Sequence, residues 1–144
     1  MKSIEGVVPI VHTPFDDQDQ IDWESFERQL AWAVECGIQG CAIGMVSEVM
    51  RLSSSERQQL TENLVAAVSG QVFTIASAGA ESTGQAIEYA SHAEQAGCDA
   101  VMAIPPVDTP GRKEDRIIFI RPSEFRSRPS GPGVRTLISY RIWE

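Results

Sequence analysis

Apolar residues over positions 6–104 fall into two arrangements, short unbroken runs and longer stretches in which they recur every three or four positions. The runs are Gly6-Val7-Val8-Pro9-Ile10-Val11, about Gly40 to Ile43, Val72-Phe73-Thr74-Ile75-Ala76, and Ala100-Val101-Met102-Ala103-Ile104, which Pro105-Pro106 stops. Short apolar runs without clean alternation predict parallel strands buried on both faces. Between them lie three helical stretches. The first starts after Asp22, a natural N-cap, places Trp23, Phe26, Leu30 and Val34 on one face, and ends at Cys36-Gly37. The second opens with the capping box Ser53-x-x-Glu56 and turns Leu60, Leu64, Val65 and Val68 inward until Gly70. The third opens with a second capping box, Ser82 with Gln85, and runs to Ala96-Gly97. Strands alternating with helices in this way predict right-handed crossovers and a parallel sheet. Two α/β folds satisfy the pattern: the front half of an eight-fold barrel, or a small open doubly wound sheet.

The period fails near Gly111, and so does the charge balance. Residues 1–111 carry four lysines and arginines against sixteen acids, a net −12, while residues 112–144 carry eight against four, a net +4. We therefore divide the chain into 1–111, the patterned unit, and 112–144, a basic tail of separate character. Its Ile117-Ile118-Phe119-Ile120 and Thr136-Leu137-Ile138-Ser139-Tyr140 read as short strands amid Arg-, Pro-, Ser- and Gly-rich sequence. The coincidence of charge reversal and lost period points to a frame-shifted or otherwise disrupted back half; a disordered basic arm is the rival reading.

The rest of the composition narrows the function classes. A net charge of −8 argues against nucleic acid as partner. No apolar stretch reaches the roughly 18 residues of a membrane span, and the N-terminus lacks the organisation of a signal peptide. Cys36, Cys41 and Cys98 have no metal-ligand spacing; all three read as buried structural thiols of a reducing, cytoplasmic compartment. His12 reads as a packed core histidine and His92 as a solvated one, and no cluster marks a metal site. Asp16, Asp17 and Asp19 form a polar connection rather than a calcium loop, and the Gly79 region holds too few glycines for a phosphate loop.

The most informative stretch is Gly44-Met45-Val46-Ser47-Glu48 through Leu52-Ser53 to Glu56-Arg57, a polar loop between the second strand and its helix. Together with Thr13-Pro14-Phe15, the block Ser82-Thr83-x-x-Ala86-Ile87, and Ala93-Glu94-x-Ala96-Gly97-x-Asp99-Ala100-Val101, it resembles the dihydrodipicolinate synthase/N-acetylneuraminate lyase family of class I aldolases. The resemblance covers about residues 4–110 and implies the first four parallel strands and three to four helices of a partial (β/α)8 TIM barrel. It also implies lyase chemistry on pyruvate or another 2-oxo acid through a Schiff base, with no cofactor or metal. The loop after the second strand would hold the substrate carboxylate, which makes Met45, Val46 and Ser47 the substrate-binding candidates and Gly44 and Glu48 the loop-structuring ones.

The sequence departs from the family at telling places. Met45 and Val46 stand where two threonines are usual, Ser47 where glycine is usual, and Val107-Asp108 near a customary tyrosine pair. That points to a subgroup other than the dipicolinate synthase itself, such as one handling sugar-derived 2-oxo acids. The family's Schiff-base lysine on strand six and relay tyrosine on strand five have no counterpart: the lysines are Lys2 and Lys113, the tyrosines Tyr89 and Tyr140. The expectation is a chain inactive alone, with a non-enzymatic 2-oxo-acid-binding or oligomer-partner module as the alternative. Uncovered strand edges would call for a homo-oligomer or for cover by the tail.

Overall fold

The computed structural model describes residues 6–103 and the backbone of residues 118–120. Helices form where the period places them. Helix α1 (Trp23–Glu35) begins at Asp22, whose carboxylate accepts the Ser25 N–H at 3.0 Å. Helix α2 (Ser54–Val68) begins at the Ser53/Glu56 capping box, both halves of which form. Helix α3 (Thr83–Ala96) begins at Ser82, which accepts the Gln85 N–H; only this half of its expected box is made. It stops at Gly97, whose φ of +92° is a conformation that L side chains rarely adopt.

Strands β1 (Gly40–Ala42), β2 (Phe73–Ser77) and β3 (Ala100–Ala103) pair side by side, in chain order and in parallel. The run expected as the first strand lies beside β1 but joins it by a single parallel bridge, Ile10 to Ala42. Pro9 explains why. Val7 O receives the Gly40 N–H at 3.4 Å, and the bond that would complete that step of the ladder needs an N–H that proline lacks. Ladder bonds resume beyond it, from Ala42 N to Pro9 O and from Val11 N to Ala42 O, both 2.9 Å.

Which face the helices cover decides between the two candidate folds. Val11, Cys41, Ile43 and Val72 pack with Phe26 and Leu30 of α1 and with Leu60, Leu64 and Val68 of α2. Ala76 and Val101 pack with Tyr89, Ala90 and Ala93 of α3. Ala42, Phe73, Ile75, Ala100 and Met102, one step out of phase along the same strands, form a separate cluster that contains no helix residue. All three helices thus lie on one side of a sequentially ordered sheet. A doubly wound sheet would carry helices on both faces and reverse its strand order; a (β/α)8 barrel segment does neither.

One strand departs from the parallel expectation. β4 (Ile118–Ile120), within the run expected as a strand of the tail, adds to β3 antiparallel, with Met102 opposite Phe119. The tail thereby occupies the β3 edge, where a barrel would continue with a parallel strand. Lys2, Lys113, Val107-Asp108, Pro105-Pro106 and Tyr140 lie outside the described residues, as does the second expected tail strand.

Candidate active site

Ligands of a parallel α/β sheet bind at the carboxyl ends of its strands. Three connections gather there: residues 12–22, the loop after β1, and residues 78–82 after β2. The loop after β1 begins at Gly44 and makes one 3-10 turn, Met45–Ser47. Gly44 is needed for closeness rather than for its dihedrals. A Cβ there would lie 2.7 Å from Met102 Cε and 3.3 Å from Ile10 Cδ1, so a side chain would collide with Met102 and crowd Ile10.

Ser47 is the keystone of this turn. It is fully buried, and its hydroxyl donates to Val11 O and accepts the Gly44 N–H at 3.1 Å. Those two backbone groups are the pair that the next step of the parallel ladder would join directly, given the bridge at Ile10 and Ala42. The serine oxygen therefore sits inside the ladder and lets the chain leave the sheet without orphaning either group. Its own N–H donates to Gly44 O at 2.9 Å, and its carbonyl accepts from Thr13 Oγ1 at 2.7 Å. Every polar group of Ser47 is thus engaged within the protein, and the geometry makes it a positioning residue rather than a free ligand group.

That redistributes the candidates. Met45 and Val46 are half exposed, and their amides have no partner among the described residues. Of the three candidate amides, these two are the adjacent donors without a partner among the described residues, and that of Ser47 is bonded to Gly44 O. Glu48 closes the turn in the left-handed region, at φ 59° and ψ 16°. Its carbonyl accepts from Arg51 N at 2.7 Å, and its carboxylate pairs with the exposed Arg51 guanidinium at 3.3 Å. Both contacts are local to the loop.

Sequence reasoning passed over the most heavily engaged cation. Arg57 is buried; it donates to Ser77 O and Gly79 O, both at 3.1 Å, and stacks 3.7 Å from the Tyr89 ring centroid. Tyr89 Oη shares a hydrogen bond with Ser54 Oγ at 3.0 Å. The guanidinium so clips the loop after β2 to helices α2 and α3. Burial lowers its pKa from the ordinary arginine value, and Tyr89 partly opposes that shift. The signal was available: an arginine three residues into a helix whose neighbours at the next two turns are Leu60 and Leu64 lies on the inward face. At the far end of the sheet Asp99 accepts from Thr74 N at 3.0 Å and from Thr74 Oγ1 at 3.2 Å, tying the start of β3 to β2.

Three other expectations need correction. His12 is exposed, held through its backbone by the Gln29 amide, because its side chain stands beyond the last ladder bond. His92 is not solvated; it packs between α3 and α2 and meets Glu62 at 2.9 Å. Cys36 is exposed, as the residue that ends α1, while Cys41 and Cys98 are buried. Among the described residues no group of three His, Cys, Asp or Glu could hold a metal, and no helix is long and apolar enough to cross a membrane.

A sheet in chain order with all three helices on one side of it is the arrangement of a segment of a (β/α)8 barrel. The chain belongs to the dihydrodipicolinate synthetase family, whose model matches residues 3–117. It is 39% identical over 104 residues to the 4-hydroxy-tetrahydrodipicolinate synthase of Bartonella quintana, covering 72% of this chain and 35% of that protein. The enzyme of the same name from Methanocaldococcus jannaschii is 37% identical over 103 residues, 71% of this chain and 35% of that protein. Among solved structures, the chloride-inhibited dihydrodipicolinate synthase of Acinetobacter baumannii complexed with pyruvate superposes with a TM-score of 0.70 at 30% identity, covering 72% of this chain and 36% of its own. The chain therefore spans about 35% of the length of the curated relatives it matches.

Proposed function

We propose that this chain carries the carboxylate-binding part of a 2-oxo-acid aldolase chamber and holds pyruvate, or another 2-oxo acid, without a covalent step. What carries the reading is the adjacent amides of Met45 and Val46 at the carboxyl end of β1, which have no partner among the described residues. Two N–H donors side by side make charge-assisted bonds to the two oxygens of a carboxylate, roughly twice as strong as neutral ones. Ser47 holds both in place by closing the turn beneath them. Because the donors are backbone groups, the exchange of threonine side chains for Met45 and Val46 leaves this capacity intact. It removes any hydroxyl that could relay a proton. A pyruvate complex of a relative with the same fold supports the choice of ligand.

The family's covalent chemistry needs an amine to attack the keto carbon. The only lysines of the sequence are Lys2 and Lys113, which lie before the first strand run and beyond the third helix unit. On this reading the 144 residues bind and orient a 2-oxo acid but do not form its Schiff base, and aldol chemistry belongs to a complete barrel. Residues 118–120 then act as cover for the β3 edge. The exposed Val7 and Ile10 on the opposite edge favour self-association; sedimentation showing only monomer would count against that part.

The test is a titration of 15N-labelled protein with pyruvate. Met45 and Val46 amide resonances should move together and saturate, with Gly44 and Ser47 following less. Shifts confined to residues away from this loop would overturn the assignment.

A further inference from the structure

The alternation of β2 sends Phe73, Ile75 and Ser77 to the helix-free side of the sheet, the side that is the interior of a barrel. Ser77 is the last residue of that strand, and it is only 7% exposed. Its hydroxyl is the one buried side-chain oxygen or nitrogen among the described residues without a hydrogen-bond partner. Ser77 stands in register with Met102 on β3. Carrying the β1–β2 register two residues past the pair Ala42 and Ile75 sets it beside Gly44, one strand spacing of about 4.8 Å away. Gly44, Ser77 and Met102 thus form one cross-strand row at the carboxyl ends of β1–β3, with Ile10 side-chain atoms against Gly44 and the exposed His12 next in register beyond it, and Ser77 is the buried polar side chain of that row.

A buried hydroxyl left unpaired is a standing cost that an apolar alanine of similar size would not carry. Such a group is explained when something absent from the free protein completes it. Its position says what. A 2-oxo acid whose carboxylate sits on the Met45 and Val46 amides extends from Gly44 across the sheet toward β2, and the atom next to the carboxylate is the keto carbon with its oxygen. Met102 Cε covers Gly44 along that path and has to move for a ligand to enter. The in-register neighbour, Met102, is unbranched and flexible enough to give way to a ligand.

We propose that Ser77 Oγ donates a hydrogen bond to the keto oxygen of the bound 2-oxo acid and so distinguishes 2-oxo acids from plain carboxylates. The inference rests on the carboxylate assignment above, adds a contact on a second strand, and can fail separately from it.

The experiment compares Ser77→Ala with the parent chain, by calorimetric titration and by thermal unfolding, using pyruvate and propionate as probes. Propionate has the carboxylate and the three-carbon skeleton but no keto oxygen. Ser77→Ala should bind pyruvate about five- to tenfold more weakly, the equivalent of one hydrogen bond, and bind propionate as the parent does. Its unfolding temperature without ligand should equal or exceed the parent's. Equal affinity of both proteins for pyruvate would overturn the proposal while sparing the carboxylate site. Weakened propionate binding would move Ser77 to the carboxylate and overturn it, as would a lowered unfolding temperature, which would mean that the hydroxyl already has a partner. A parent chain that binds neither probe would sink both readings.

Discussion

Replacing Ser47 by alanine tests whether one hydroxyl shapes the ligand loop. The substitution deletes a single oxygen from a fully buried site and leaves Val11 C=O and Gly44 N–H facing each other with nothing between them. Each buried unpaired group costs about 1–3 kcal/mol. Partial closure of the gap into a direct ladder bond would recover some of this, so the expected loss is about 3 kcal/mol. Urea unfolding followed by tryptophan fluorescence reads it, since Trp23 packs against the main core cluster. The midpoint should fall with an unchanged slope, because the surface exposed on unfolding is the same. Amide exchange should quicken at Gly44 beyond what the global loss explains. A change below about 0.5 kcal/mol would refute the view that Ser47 holds the turn, and with it the reason the Met45 and Val46 amides are presented together.

Other consequences follow from the same contacts. Arg57→Lys should destabilise by about 2 kcal/mol in thermal unfolding, because an ammonium cannot bridge Ser77 O and Gly79 O while lying flat on Tyr89; a neutral result would contradict the clip. Burial pushes the Cys41 thiol up to about 11 and the Cys98 thiol up to about 12. Raised thiol pKa values stabilise the fold fully below the unfolded value near 9 and lose that contribution as pH climbs toward 11–12. Unfolding free energy should therefore decline above about pH 9, and at pH 8 a thiol reagent should modify Cys36 alone. Asp22 and Glu56 have carboxyls held below the ordinary range by Ser25 and Ser53 respectively, so the caps of α1 and α2 loosen as pH falls through and below about 4. Circular dichroism against pH, with Asp22→Asn as control, checks this.

Much of the fold was legible because its determinants are local. Asp22, Ser53 and Ser82 cap within three residues, and the inward faces of the helices follow from spacing alone. The choice between barrel and doubly wound sheet was not, since periodicity shows that a helix has a buried face but not which side of the sheet it covers. The candidate loop stood out in the sequence by its place after an apolar run, but which of its polar groups are already engaged within the protein did not. Ser47 looked like a ligand hydroxyl because its partner, Val11 O, lies 36 positions away and leaves no trace in spacing. Arg57 and Ser77 were missed for different reasons. Arg57 entered only as part of the family-resembling stretch, and a serine that ends an apolar run carries no sign that its hydroxyl is buried. The antiparallel entry of Ile118–Ile120 was likewise beyond reach, as a three-residue apolar run carries no sign of its direction.

The claim on which the account turns is that these 144 residues hold a 2-oxo acid by hydrogen bonds alone. Incubation with pyruvate and borohydride, followed by intact mass measurement, addresses it most directly, because reduction fixes any imine. The account predicts an unmodified mass under conditions in which pyruvate still perturbs the Met45 and Val46 amides. A reduced pyruvyl adduct on Lys2 or Lys113 would contradict it.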